Sequence, residues 1–184
     1  LKTGPSEEIA RQLQIESIKE YVDSCVKDTA NNGLYIIGLQ GGYINLPDKV
    51  LEIDDLKIAY GYYKGKTVLI EKTEMQNELS NYLKENLPLC TNFSKFNLDI
   101  FVGEVSARTL IKSDSVSVEL FYPLNISKED TFYFLNEKYN EEIPIRLGRI
   151  YDLSNKIIES EVKTKQIDIS YILTLYDPDI LVTP

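Results

Sequence analysis

Apolar and small side chains at Ile15, Ile18, Val22, Cys25, Val26 and Thr29, continued at Gly33, Leu34, Ile37 and Leu39, recur at helical spacing. Period-2 alternation cannot produce this stripe, so the chain opens with one long helix from about residue 7 to residue 40. Pro5 and Ser6 suit its start, and Glu7 and Glu8 sit where the positive end of the helix dipole favours carboxylates. Asn31-Asn32-Gly33 is a weak point within it, where a break would cost little. A helix with one apolar face needs a second layer to cover that face, and the rest of the chain has to supply it.

The stripe runs into Gly41-Gly42, followed by "YINLP". Phosphate-binding glycine loops run strand, glycines, helix, so that the anion meets a helix N-terminus. Here the order is reversed. The pair lies at a helix C-terminus, where the dipole is negative and glycine serves as a left-handed cap, so Gly41 and Gly42 read as a helix cap.

Beyond the cap, "LKIAYGYY" and "KTVLIE" flank Lys64-Gly65 as a β-hairpin. Thr73 and Gln76 have the spacing of a capping box for a second helix, with Met75, Leu79, Leu83 and Leu87 on one face and Pro88 as its stop. From residue 96 the pattern turns to β: "FNLDIFVGEV", "ARTLIKS" and "SVSVELFYPL" are strand candidates. "DTFYFLNEKYNEEIPIRL" reads as another hairpin, with a polar turn near Asn136 to Asn140. A third helix over about 148–163 carries Ile150, Leu153, Ile157, Ile158 and Val162, and "IDISYILTLY" closes as a strand. The expected fold is α+β, a mostly antiparallel sheet with a long N-terminal helix and two further helices. Residues 1–42 form the helix, 43–176 an α+β domain packed on it, and 177–184 a tail or edge strand.

Charge narrows the partners. With 29 acidic residues against 20 basic, the chain carries −9 at neutral pH. Its densest basic group is Lys64, Lys66 and Lys72, spread around a turn, so nucleic acid is excluded as a partner. No apolar stretch approaches the length of about 18 residues that a membrane span needs. Cys25 and Cys90 are the only cysteines, and their number is equally compatible with a bridge or with two buried thiols in a reducing cytosol. A bridge would staple the first helix to the end of the second and contribute roughly 4 kcal/mol by the chain-entropy estimate. Asn92 in "NFS" and Asn125 in "NIS" are candidate N-glycosylation acceptors.

Four strings carry a resemblance: "IESIKEYVDSCVKDTANNGLYIIGLQGGYINLP", "EMQNELSNYLKENLPLCTNFSKF", "VSVELFYPLNI" and "IPIRLGRIYDLSNKII". With Cys25, the Gln40-Gly41-Gly42-Tyr43 string and Cys90, the chain resembles an uncharacterised family of archaeal surface proteins from small-genome lineages. The likeness runs from about Ile15 to Tyr176. Members begin with one membrane-spanning helix and place the following domain outside the cell. The resemblance implies an extracytoplasmic domain, anchored through a parent protein or released, with Cys25 and Cys90 joined as a disulfide. It brings no catalytic residue, no cofactor and no metal.

The chain has no histidine, which removes Ser-His-Asp and Cys-His catalysis and His-ligated zinc. Two distant cysteines make neither a Cys-x-x-Cys redox site nor a four-cysteine zinc site. Asp54-Asp55 and Asp177-Pro178-Asp179 are the tightest carboxylate groups. Neighbours on a strand point to opposite faces, so the first pair would not converge if extended. The second offers oxygens to a hard cation but lacks the remainder of a calcium loop and reads as a turn. Tyr60, Tyr62 and Tyr63 form a candidate contact surface, set against ordinary packing with Tyr60 and Tyr62 on one face of the sheet. The sequence thus points to a non-enzymatic extracytoplasmic surface domain acting by contact: a structural subunit of a filament or tube, an adhesin or a binding module. Self-association, another surface protein or a glycan are the expected partners. The alternative is a carboxylate-based glycoside hydrolase acting on surface polysaccharide, which requires two carboxyl groups about 5 to 10 Å apart.

Overall fold

Helix α1 (Pro5–Leu39) runs unbroken through Asn31-Asn32-Gly33 in the computed structural model, which describes residues 5–128, 131–165 and 169–175. Its stripe is buried from Ile18 to Ile37. Gly33 does not break the helix because its missing side chain is what the packing uses. A Cβ there would stand 2.6 Å from Leu79 Cδ1 and 2.9 Å from Tyr82 Cδ1 on α2 (Lys72–Cys90). At the far end Gly41 takes φ +70°, and the Gly42 N–H donates to the Ile37 carbonyl at 2.8 Å, which is the Schellman closure.

Four short strands follow. β1 (Val50–Ile53) pairs with β2 (Leu56–Ala59) around Asp54-Asp55, and β3 (Tyr62–Tyr63) pairs with β4 (Lys66–Thr67) around Lys64-Gly65. Positive φ at both Lys64 and Gly65 gives the primed turn whose twist matches a hairpin. The expected strand over 56–63 is thus divided, and its first half pairs backwards. Met75, Leu79, Leu83 and Leu87 of α2 are all buried. The helix begins before Thr73, with the Glu71 carbonyl accepting the Met75 N–H at 3.0 Å. Pro88 lies inside it rather than ending it: so near the C-terminus, proline forfeits only one backbone bond.

A four-stranded antiparallel arrangement holds β5 (Asp99–Val102), β6 (Ser106–Ile111), β7 (Val116–Lys128) and β8 (Thr131–Ile143), with β7 paired to the other three. On β7, Val116, Val118, Leu120, Tyr122, Leu124 and Ile126 are buried, the strict alternation the sequence predicts. Residues 131–143 correct the expected hairpin. They form one strand without a turn, in which Leu135, Tyr139 and Ile143 point inward and Asn136, Lys138 and Asn140 outward. The polar residues that resembled a turn are the outer half of an unbroken period of two.

Helix α3 (Leu147–Thr164) matches its sequence expectation. The strand expected over "IDISYILTLY" is corrected: Ile169–Thr174 form a short helix, α4, and none of the described strands pairs with it. β-branched residues favour a strand only where a sheet offers a pleated surface to pack on. The tail or edge strand expected over 177–184, with Asp177 and Asp179, lies outside the described residues.

The chain divides into two compact units interleaved in sequence. The first takes α1 up to Leu34, Leu79–Thr109 and Val118–Glu141. Here α1 and α2 cover the inner face of the sheet. The Cys25–Cys90 disulfide joins the two helices, and the Tyr21 hydroxyl donates to the Cys90 carbonyl and accepts the Asn92 N–H, both at 2.9 Å. Thr91 donates to the Leu87 carbonyl at 3.1 Å and meets the buried Tyr122 hydroxyl at 2.6 Å, which satisfies that polar tip, whereas the buried Tyr139 hydroxyl has no hydrogen-bond partner among the described residues. Lys19 of α1 pairs with Glu137 of β8 at 2.8 Å.

The second unit takes Tyr35–Glu78, Leu110–Ser117 and the chain from Glu142 on. Glu78 accepts the N–H groups of Ile44 and Asn45 at 2.6 and 3.0 Å, and Lys72 pairs with Asp152 at 2.8 Å. Glu142 accepts Lys112 Nζ at 2.9 Å and the Ser115 hydroxyl, fastening the β6–β7 turn to the end of β8. The Ser115 hydroxyl foremost, then Lys112 and Ser117, pull its carboxyl from 4.5 down to about 2. A lowered folded-state pKa means the stabilisation is fully present above the ordinary value and is lost as pH falls towards 2. Thermal melts should show Glu142→Gln less stable than wild type at pH 6, with the gap closing between pH 4.5 and 2. A gap independent of pH would remove this role.

Candidate contact surface

The outer face of the β5–β8 sheet follows from the same alternation that builds its inner face. With the even-numbered residues of β7 buried, Ser117, Glu119, Phe121, Pro123, Asn125 and Ser127 point outward. Arg108 of β6 and Phe132, Phe134, Lys138 and Asn140 of β8 are exposed. Two regions of this face differ in chemistry.

One is a shallow cavity of about 480 Å³ lined by Ser106, Arg108, Glu119, Phe121, Lys138 and Asn140. The Arg108, Lys138 and Glu119 side chains form no ion pair or hydrogen bond among the described residues. Two cations against one carboxylate leave a locally positive floor on a chain of net charge −9. Phe121 supplies a half-buried ring and Asn140 an amide. Such a floor takes carboxylates or other anions by charge-assisted hydrogen bonds beside an apolar contact.

The other region lies near the β7–β8 hairpin and is apolar. Phe101, Phe132 and Phe134 are 66, 70 and 73% exposed. Phe101 stands directly opposite Asn125 in the β5–β7 register. Exposed apolar patches of this kind mark places where something else sits.

The other residues singled out in the sequence fall as follows. Gly41 and Gly42 close α1, and Cys25 and Cys90 are bonded to each other. Tyr60, Tyr62 and Tyr63 belong to the second unit and are half-buried. Tyr60 packs on Tyr63 at 5.2 Å between ring centroids, and Lys49 and Lys64 approach the Tyr63 ring to 5.3 and 5.4 Å. Asn92 is exposed, and its Oδ1 accepts the Ser94 N–H at the start of a 3-10 turn. Asp54 and Asp55 form the β1–β2 turn with Asp54 at φ +51°. Among the described residues no three His, Cys, Asp or Glu side chains gather as a metal site would require, and no helix is long and apolar enough to cross a membrane.

Sequence reasoning missed Arg108, Phe121, Phe132, Phe134 and Lys138 as a group. The signal was present: the even-numbered positions from Phe132 to Glu142 are solvent-facing without interruption, but only once 131–143 is taken as one strand. No protein-family model, curated protein or solved structure matches the chain.

Proposed function

We propose that this is a non-enzymatic domain that works outside the cytosol by contact, as a structural subunit of a surface assembly, an adhesin or a binding module. The observation that carries the reading is the open sheet face, where unpaired Arg108 and Lys138 flank Phe121 while the opposite face of the same strands is filled with core. The disulfide is compatible with an oxidising compartment, where such bonds persist. The resemblance to archaeal surface proteins points the same way. A neighbouring copy, with its excess of acidic side chains, presents the charge this cavity is built to meet, so self-association is the first partner to test.

Light scattering and electron microscopy across a concentration series should show discrete oligomers or ordered polymers. Charge reversal at Arg108→Glu with Lys138→Glu should shift assembly to at least tenfold higher concentration. A wild-type chain that stays monomeric throughout, with and without divalent cations, overturns self-association. Glycoside hydrolysis receives no support at this cavity, where Glu119 is the only carboxylate and a two-carboxyl mechanism has no second member.

A further inference from the structure

We propose that Asn125 carries an N-linked glycan, and that its first sugars cover the exposed rings of Phe101, Phe132 and Phe134. The inference rests on the extracytoplasmic reading above and adds to it a covalent modification and the surface that receives it.

Three observations converge. Asn125-Ile126-Ser127 has the acceptor pattern, with no proline between. On β7 its outer residue is the asparagine: Ile126 is buried and pairs with Ile100, so the Asn125 amide points to solvent, where its side chain has no hydrogen-bond partner among the described residues. Phe101 is its direct cross-strand neighbour, a position that holds Cβ atoms about 5 Å apart. Phe132 and Phe134 leave the adjoining hairpin on the same exposed face. An amide-linked pyranose would therefore begin among phenyl rings. The C–H face of a sugar is weakly positive and apolar, and the face of an aromatic ring is negative, so the two stack and both lose water contact. The apolar end of the face is then the seat of the chain's own carbohydrate. The cavity at Arg108 and Lys138 is left open as the contact site.

The chemistry needs a lipid-linked sugar phosphate donor, the class of substrate used for protein N-glycosylation during export. The C1–oxygen bond to phosphate breaks and the phosphate leaves with the electron pair. A C1–Nδ2 bond forms on Asn125, and the displaced amide proton passes to base. Once β7 is paired on both sides the acceptor is held extended and flat, so transfer precedes closure of the sheet.

Glycopeptide mapping of the protein from its native cells, with thiol counting on the same sample, tests the proposal. The expected result is a glycan on the peptide containing Asn125. Its enzymatic removal, or Asn125→Gln in a secreted form, should raise binding of an apolar fluorescent dye several-fold. Combining Asn125→Gln with Phe101→Ala, Phe132→Ala and Phe134→Ala should abolish that rise. An unmodified Asn125 beside an occupied Asn92 overturns the proposal while leaving the extracytoplasmic reading intact. Both sites bare with Cys25 and Cys90 oxidised also overturns it. Both bare with two free thiols overturns the compartment as well. A modified Asn125 whose deglycosylation leaves dye binding unchanged overturns the covering of the rings.

Discussion

Replacing Cys25 and Cys90 together by alanine should lower the thermal midpoint by roughly 8–16 °C. The estimate combines about 4 kcal/mol of chain-entropy stabilisation with about 2–4 °C per kcal/mol for a chain of this size. The bridge spans 65 positions of sequence and joins two helices whose apolar faces fill the first unit's core. Alanine is the appropriate substitute because Cys25 is buried, and serine would add a hydroxyl without a partner. The Tyr21 hydroxyl still ties α1 to the Cys90 carbonyl and the Asn92 N–H, so the variant should fold to the same structure. Scanning calorimetry of wild type, the double variant and reduced wild type is the measurement. A shift below about 2 °C would show that the bridge constrains nothing the helices do not already fix.

The second large effect comes from a residue with no side chain. Gly148 opens α3, and a Cβ built on it stands 2.8 Å from the Lys112 carbonyl carbon and 3.1 Å from Ser113 Cα, closer still to the Lys112 oxygen. These are backbone atoms of the β6–β7 turn, which cannot yield as the end of a long side chain would. Gly148→Ala should therefore cost about 3 kcal/mol, the upper part of the range for overpacking, although alanine is the better helix former. Gly38 provides the contrast. It lies in α1 with nothing within 4 Å of the same added atom, so Gly38→Ala should stabilise by about 0.5–1 kcal/mol. Chemical denaturation of the two variants in parallel separates space from propensity. Equal effects of the same sign would refute the close approach at Gly148.

Periodicity carried most of the fold. The α1 stripe, the buried face of α2 and the β7 alternation are each local patterns repeated often enough to outweigh any one exception. Where the reading failed, an isolated residue type had been set against such a pattern. Asn136 and Asn140 suggested a turn in a strand whose period was intact, and Pro88 suggested a stop where only one backbone bond was at stake. The 169–174 segment shows the converse: strand-like composition in a short helix that pairs with none of the described strands. The contact surface was harder to read than the fold for a geometric reason. Arg108, Glu119 and Lys138 come from three different strands, and only the lateral pairing of β6, β7 and β8 brings them together. The cysteines were visible as residues, but their number alone left the bond undecided. The roles of Gly33 and Gly148 depend on what another element places beside them, which nothing local in the sequence encodes.

The interleaving of the two units has a consequence for biosynthesis. The first unit cannot be completed until β8 emerges, because it needs residues up to Glu141 to enclose a helix that ends its share at Leu34. At ribosomal rates of about 5–20 residues per second, the stripe of α1 waits on the order of 5–20 s for the sheet that covers it. No cut in the chain yields a fragment holding one whole unit and none of the other. Dissection by truncation will therefore give aggregating pieces, and point substitution within the intact two-unit chain is the practical route to mapping this molecule.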